Sequence, residues 1–537
     1  MIFYINKIFL GISNQLRKFY LNSNIYDKKI SKIEIKDLAY KPSPHLLSSL
    51  IKYQKKKFKI EDFILDNVWN EKNVNDKEYR ILNSFYWFFS LDLKSSKKST
   101  QTIVSNWMKS NYKYNSKSWN FDITAKRIIA WLSCHNLTYA DSSLTYKENF
   151  NKIIQKQTNH LINEINRSKQ IEDKIIGCAS IILVGLCYKS EKNYLSFGTT
   201  LLKKITKLTL DNSGIPKSRN IKQLIFYLKY FILIREWFKE SQVTIPEHID
   251  ETIYYLGQGY AFFWKNSESD FLFNGNNISK NYEFDNYLNR LGYKFKNEDQ
   301  ELGGYIILRD KKICIAMDVG PTPSLDYTKD YQSGALSFEI LSNGKKLISN
   351  CGYYKKNNSN LNHISKSSAA QNTLVIDDNS SCKFINMTKA LLVKNGLKIV
   401  KKNSIFEKNF WKICASHDGY LKKYSSIHER EIEFYPDQMT LIGIDKIIKK
   451  KTNNNYKFDI RFHVEPNVKL MKTQDNKSIF IQLDNEGWKF TCENYDINID
   501  NGLYFGNKNL YTENQNIFIT GISNSQIENI KWKIKKI

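Results

Sequence analysis

The sequence predicts a two-domain α+β protein, with stacked helical hairpins followed by a large antiparallel β-sandwich. Three observations lead there. Apolar residues recur at spacings of three and four through the first half and at spacings of two beyond about residue 300, so the period switches from helix to strand. At 537 residues the chain has the length of two or three domains. Its 41% hydrophobic content is enough to fill substantial cores, which excludes wholesale disorder.

The helical half is read from its apolar spacing. The clearest stretch runs from Ile221 through Leu224, Ile225, Leu228, Phe231 and Ile232 to Trp237, with similar periodicity at 102–108, 125–132 and 153–165. Asn/Ser/Lys-rich loops separate these segments, and no fixed sequence period marks a repeat. The apolar run from Ile175 to Cys187 is shorter than the ~20 residues a membrane-spanning helix needs, so it reads as a core helix and no transmembrane segment is expected. In the second half, 304–308, 313–317, 336–340 and 373–376 are short β-type runs. Alternating residues between Glu429 and Asp445 flank a turn at Tyr435-Pro436-Asp437-Gln438, and 479–483 and 488–492 flank 484–487 in the same way. Many short strands at this spacing predict a sandwich. The boundary is expected at 285–300, giving domains 1–290 and 291–537.

Composition narrows the partner. The net charge of +27 creates a field that concentrates polyanions, whether acidic glycan, nucleic acid or anionic membrane. Abundant Lys, Asn and Ile throughout the chain account for part of that excess without a function. Lys and Arg are spread along the whole length, with neither a basic tail nor a zinc-finger pattern. The 33 Tyr, 31 Phe and 10 Trp supply planes on which sugar rings stack, although large cores use the same residues. Eight widely spaced cysteines with no Cys-x-x-Cys pair speak against a metal knuckle or thiol redox motif and are expected to be buried thiols. At the N-terminus Asn6 and Lys7 break the apolar run and no small-residue cleavage site follows, so a standard secretory signal is not expected.

The segments Gly334-Ala335-Leu336-Ser337-Phe338-Glu339-Ile340, Ser349-Asn350-Cys351-Gly352 and Ser368-Ala369-Ala370-Gln371-Asn372-Thr373-Leu374 fall in order within about forty residues. With Gly304-Tyr305, Asp318-Val319-Gly320-Pro321, His417-Asp418-Gly419-Tyr420, His428-Glu429-Arg430, Arg461-Phe462-His463 and Gly487-Trp488, they resemble the C-terminal domain of the heparinase II/III family of polysaccharide lyases. The likeness covers roughly residues 300–520 and rests on order and spacing rather than on any one motif. A weaker likeness lies in the helical half, at Trp119, Arg127 and Trp131 and at the loop Ser213-Gly214-Ile215-Pro216-Lys217-Ser218-Arg219-Asn220. The resemblance implies an incomplete α/α toroid joined to an antiparallel β-sandwich. It also implies an acidic, uronate-containing polysaccharide as partner rather than a specific nucleic acid, and a place in the cell envelope or periplasm, with the cytoplasm as alternative. Nothing in the sequence sets the oligomeric state.

Lyases of this type cleave by β-elimination: a hydrogen-bond donor neutralises the uronate carboxylate so that C5–H becomes acidic, and Tyr or His groups move the protons. The resemblance assigns the first task to Asn220 and Arg219, both donors, with arginine able to pair bidentately. The alternative is that Asn220 caps a helix beginning near Ile221 and Arg219 lies on the surface. Tyr282 and Tyr331 are the leading proton-transfer candidates, ahead of Tyr305, His363, His417, His428 and His463. His417, His428 and His463 belong to general fold motifs and more often fill polar core sites. Where family members carry histidines, this chain has Pro216 in the loop and Gln332 and Gln371 in the sandwich, with Asn350 in place of an Asp between them. Some members hold zinc with those histidines; amides are poor zinc ligands, so no zinc or other cofactor is expected. The three amides would bind a glycan hydroxyl or one another in an internal network. A non-catalytic glycan-binding or envelope-glycan biogenesis protein that keeps the lyase fold is the alternative function.

Overall fold

The computed structural model describes residues 13–32, 37–48, 76–90, 97–188, 193–264, 270–278, 282–356, 359–387, 390–451, 455–507 and 510–537. The chain forms two compact units: Met1–Leu208, Phe226–Ile253 and Asn281–Lys294 make the first, and Thr209–Ile225, Tyr254–Lys280 and Phe295–Ile537 the second.

Among the described residues, the main helices of the chain's first half are α1 (Asn24–Ile30), α2 (Asp76–Ser84), α3 (Lys97–Ser110), α4 (Phe121–Ser133), α5 (Leu144–Glu164), α6 (Ile171–Cys187), α7 (Tyr194–Thr209), α8 (Ile221–Glu240), α9 (Glu247–Trp264) and α10 (Tyr282–Leu291). In the first unit α4 packs against α2, α5 and α6. Almost every side chain of α4 is buried, including that of Arg127. That charge is tolerable because its donors are used: Nη1 donates to Asn83 O (2.8 Å) and Ser118 O (2.9 Å), and the guanidinium lies 4.0 Å from the Trp107 ring centroid. Trp119 and Trp131 are buried beside it, so this part of the sequence likeness is a packing motif. The run from Ile175 to Cys187 lies within α6 and is buried as a core helix, and among the described residues no helix is long and apolar enough to cross a membrane. Of the N-terminal stretch, residues 1–12 lie outside the described residues.

The second unit is built on strands. In order they are β1 (Glu301–Leu302), β2 (Tyr305–Arg309), β3 (Ile313–Asp318), β4 (Phe338–Ser342), β5 (Lys345–Ile348), β6 (Leu374–Ile376), β7 (Lys383–Met387), β8 (Ala390–Asn395), β9 (Ile399–Phe406) and β10 (Trp411–His417). They continue as β11 (Ser426–Tyr435), β12 (Thr440–Lys449), β13 (Tyr456–His463), β14 (Lys469–Lys472), β15 (Ser478–Leu483), β16 (Glu486–Cys492), β17 (Ile497–Tyr504), β18 (Thr512–Ser523) and β19 (Ile527–Lys536). A five-stranded meander β1–β2–β3–β4–β5 accompanies an eight-stranded sheet of order β14–β15–β16–β19–β12–β11–β10–β9 and a four-stranded sheet β17–β18–β13–β6. The expected hairpins are present: β11 and β12 join through Pro436–Gln438, and β15 pairs with β16. Alternation puts one side of each strand inward, and one apolar core runs through Phe338, Trp411, Phe462, Trp488, Phe490 and Trp532.

A polar network crosses that core. Arg430 Nε and Nη2 donate to Asp445 Oδ1 (2.8 Å) and Oδ2 (3.0 Å), and Trp532 Nε1 donates to Asp445 Oδ2 (2.9 Å). His428 bonds Asp445 Oδ1 (2.7 Å) and lies 3.3 Å from His417. Burial pushes both histidines below their ordinary range. Asp445 goes the other way from what its burial favours: Arg430 and His428 hold it well below the usual carboxylate range. His463 Nε2 meets Ala369 O (2.9 Å). These three histidines thus fill core sites. Six of the eight cysteines are buried and two half-buried, all as free thiols.

Candidate active site

The site starts in the loop between α7 and α8. Asp211 Oδ1 accepts the N–H groups of Ser213 and Ile215 (both 2.9 Å), and Leu210 bridges Pro216. This closes a tight turn, with Gly214 at φ +75° where a Cβ would stand 2.5 Å from Tyr255. Arg219 then takes the left-handed conformation, φ +58°, and the chain enters α8. Asn220 Oδ1 accepts the N–H of Lys222 (2.9 Å), so Asn220 caps α8. The Asn220 Nδ2 donates to Asp330 Oδ2 (3.3 Å). One side chain both fixes the helix start and presents an amide.

Arg219 is not on the surface, as the capping alternative supposed; it is 7% exposed. The left-handed backbone turns its side chain inward, onto the β2–β3 region. Nη2 donates to Asp318 Oδ1 (2.6 Å) and Gly304 O (2.8 Å), Nε to Gly303 O (3.3 Å) and Nη1 to Pro321 O (3.3 Å). The guanidinium lies 4.6 Å from the Tyr305 ring centroid. Gly320 makes room, since a Cβ there would fall 2.3 Å from Arg219 Cζ. Burial works against the arginine's charge, but Asp318 outweighs it and holds the group protonated. Four of its five N–H donors are committed to the protein.

From Asp318 the network reaches the Asn274-Gly275 turn. Asn274 Nδ2 donates to Asp318 Oδ2 (2.9 Å) and Tyr305 Oη (2.7 Å), and Tyr305 Oη donates to Arg219 O (2.6 Å). Gly275 N–H donates to Gln332 Oε1 (3.0 Å), and Gln332 Nε2 donates to Gly352 O (2.9 Å) and Ser365 O (2.5 Å). Gln371 Nε2 donates to the same Ser365 carbonyl (3.3 Å). Asn350 stands apart, its Oδ1 accepting from Asn372 N–H (2.8 Å) and its Nδ2 meeting Ser337 Oγ (3.4 Å). Beside it, the buried Glu339 carboxylate, raised by burial against the pull of Lys346 (3.0 Å), accepts Asn350 N–H (2.8 Å).

Arg219, Gln332 and Gln371 are therefore joined through Asp318, Asn274, Gly275 and Ser365, and Asn220 adjoins them as the next residue after Arg219. Tyr331 is not part of this set: its hydroxyl accepts from Thr322 (3.4 Å) in an apolar pocket with Ala335, Cys382, Val393 and Leu397, and burial pushes its pKa well up. Tyr282 opens α10, and its side chain lies outside the described residues. His363 is exposed on α11 (Asn360–Lys366). Among the described residues no three His, Cys, Asp or Glu side chains come together as a metal site. Where some family members use histidine for zinc, the Gln332 and Gln371 amides donate to backbone carbonyls and the Asn350 amide to Ser337 Oγ, a donor set that does not fit zinc.

Three groups at this site escaped sequence reasoning. Asp330, half-buried, accepts from Tyr353 Oη (3.0 Å) as well as from Asn220. Burial, reinforced by Asp330, keeps the Tyr353 hydroxyl protonated well above its ordinary range. Lys366 is buried below them and donates to Lys329 O (2.5 Å) and Leu391 O (2.7 Å); desolvation lowers it to about 8 against the attraction of Asp330. Asp330 is thus held between the Asn220 amide and a protonated phenol, with the desolvated Lys366 bonded to two backbone carbonyls.

Residues 297–533 match the family Heparinase II/III-like, C-terminal. Among solved structures, the chain is similar to heparinase III at 13% identity, covering 94% of this chain and 86% of that one with a TM-score of 0.69. A heparinase III gene product matches at 13% identity over 90% and 85%, TM-score 0.70. A mutant heparan sulfate lyase HepC from Pedobacter heparinus matches at 10% identity over 95% and 87%, TM-score 0.68. Among curated proteins, none matches the chain by sequence. The fold is that of heparinase III, a helical toroid with a β-sandwich, and residues 297–533 are a heparinase II/III-like C-terminal domain.

Proposed function

We propose that this protein acts on an acidic, uronate-containing polysaccharide by β-elimination. The observation that carries this is Asn220, whose amide is fixed by the α8 cap and aimed at a half-buried polar cluster. In the proposed reaction Asn220 binds the uronate carboxylate and stabilises the charge that develops as C5–H is removed. The C4–O4 bond then breaks, the C4–C5 double bond forms and O4 takes a proton. Arg219 holds the loop rather than the substrate, since four of its five N–H donors are spent on Asp318 and three carbonyls. Tyr282 is the proposed base. Tyr331, sealed from solvent, positions the segment that carries Gln332, and Gln332 and Gln371 shape the site's floor, while Asn350, bonded to Asn372 and Ser337, braces the neighbouring segment. The cell envelope as its location, and residue 290/291 as the domain division, belong to the same proposal.

A second reading, a glycan-binding protein without turnover, is favoured by one observation. The positions read as family histidines are Pro216, Gln332 and Gln371, and both glutamine amides bond the protein itself. Ultraviolet absorbance over a panel of uronate polysaccharides, with and without chelator, decides between them. A rising signal that survives chelator supports metal-independent elimination. A flat trace across the panel, with binding retained, selects the second reading.

A further inference from the structure

The outer face of the eight-stranded sheet carries its charges unevenly. On β11 the outward Glu429, Glu431 and Glu433 are met by lysines of the neighbouring strands. Lys412 lies 2.8 Å from Glu431 and 3.2 Å from Glu433, and Lys446 lies 2.9 Å from Glu429. Across β12 the pattern changes. Lys531, Lys533 and Lys535 of β19 all point outward and are exposed, alternating with the buried Trp532 and Ile534. Lys531 pairs with Glu493 (2.8 Å). Lys535 stands directly opposite Lys489 of β16, and Lys533 opposite Thr491. Among the described residues, no carboxylate comes within ion-pair distance of Lys489, Lys533 or Lys535. Like charges facing each other across a strand pair weaken it; Asp475 acts on Lys489 from within the chain, and an external anion would relieve the Lys489–Lys535 pair further.

The same row continues into apolar surface. Lys489 is opposite Phe480 and Phe480 opposite Met471. The Lys489 ammonium lies 6.0 Å from the half-buried Phe480 ring centroid, and Met471 is exposed. Neighbouring strands are spaced by ~4.8 Å and alternate residues along one strand by ~6.6 Å, so the cations form a short ladder beside an apolar strip. We propose that this face, made of Met471, Phe480, Lys489, Lys533 and Lys535, is a secondary binding surface for an acidic polysaccharide chain. Charged groups of the glycan would sit on the lysines while a sugar C–H face covers Phe480, a combination that a purely phosphate-directed surface does not need. The inference rests on the polysaccharide reading above but uses no residue of the Asn220 cluster.

The test uses a fluorescently labelled polygalacturonate oligosaccharide and the full chain. The triple variant Lys489→Gln/Lys533→Gln/Lys535→Gln is compared with Lys408→Gln/Lys422→Gln/Lys450→Gln, which removes the same charge at exposed positions elsewhere. The ladder variant should bind about tenfold or more weakly at low salt and show a flatter salt dependence, with the control close to wild type. Equal weakening by both triples would reduce the effect to net charge and overturn the proposal. So would a single-stranded RNA of matched charge that binds as tightly and loses as much in the ladder variant. Absorbance of unsaturated product is read in parallel. Ladder-dependent binding without product leaves this inference standing while the lyase reading fails, and product formation with ladder-independent binding does the reverse.

Discussion

Asn220 does two things with one amide, and they can be separated. Its Oδ1 caps α8 and its Nδ2 faces Asp330. Asn220→Ala removes both and should cost about 1 kcal/mol of stability from the lost cap. Asn220→Ser keeps a capping oxygen, so thermal melting should match wild type within error. Both should reduce kcat by about 10²–10³-fold if the amide stabilises the developing charge. If Asn220→Ser turns over uronate glycan at the wild-type rate, the amide has no part in the chemistry. The Ser-Arg-Asn run was legible in the sequence because turn and cap residues announce themselves locally. Asp330 and Tyr353 were not: the first lies 110 residues from Asn220. Each is an ordinary polar residue whose role exists only once separate loops meet.

Strand pairing shows the same division at the next scale up. Alternation along 429–435 and 440–445 revealed two strands and the turn between them, because a hairpin is local. That β12 takes β19 as its other neighbour, Asp445 facing Ile530, was not readable, since a two-residue period says which face is buried and nothing about the partner. The pairing depends on Gly443. A Cβ there would fall 2.0 Å from Trp532 Cζ2, inside the indole that closes the core and donates to Asp445. Gly443→Ala should therefore displace Trp532 and destabilise the protein by about 1–3 kcal/mol. Denaturant unfolding with tryptophan fluorescence checks this, and an unchanged midpoint and emission maximum would show that the indole yields freely.

For the molecule as a whole, buried neutral histidines set an acid limit. Desolvation lowers His463 to about 4 and His160 to about 3 from 6.5. Unfolding frees each to bind a proton that the folded state refuses, so their contribution is complete above pH 6.5 and is lost as pH falls toward those values. For His463 the loss is on the order of 3 kcal/mol. The melting temperature should fall as pH drops from 6.5 to 4, and less steeply in His463→Asn; equal slopes would remove His463 from the account. Lys366, at about 8 in the folded state and 10.5 in an unfolded chain, acts at the other end: its burial costs stability below pH 8, and stability rises between those two values. The helix-then-sandwich order was legible throughout in the switch of period. The inclusion of residues 209–225 and 254–280 in the sandwich-bearing unit was not, because their apolar spacing is that of any other helix or loop. That placement has a consequence for how the chain is made. Arg219 finds Gly303, Gly304, Asp318 and Pro321 only 84 to 102 residues downstream. On the ribosome, the head of α8 must therefore wait in water with its arginine unpaired until the first sandwich strands have emerged, so the loop that carries Asn220 is completed late although it is synthesised early.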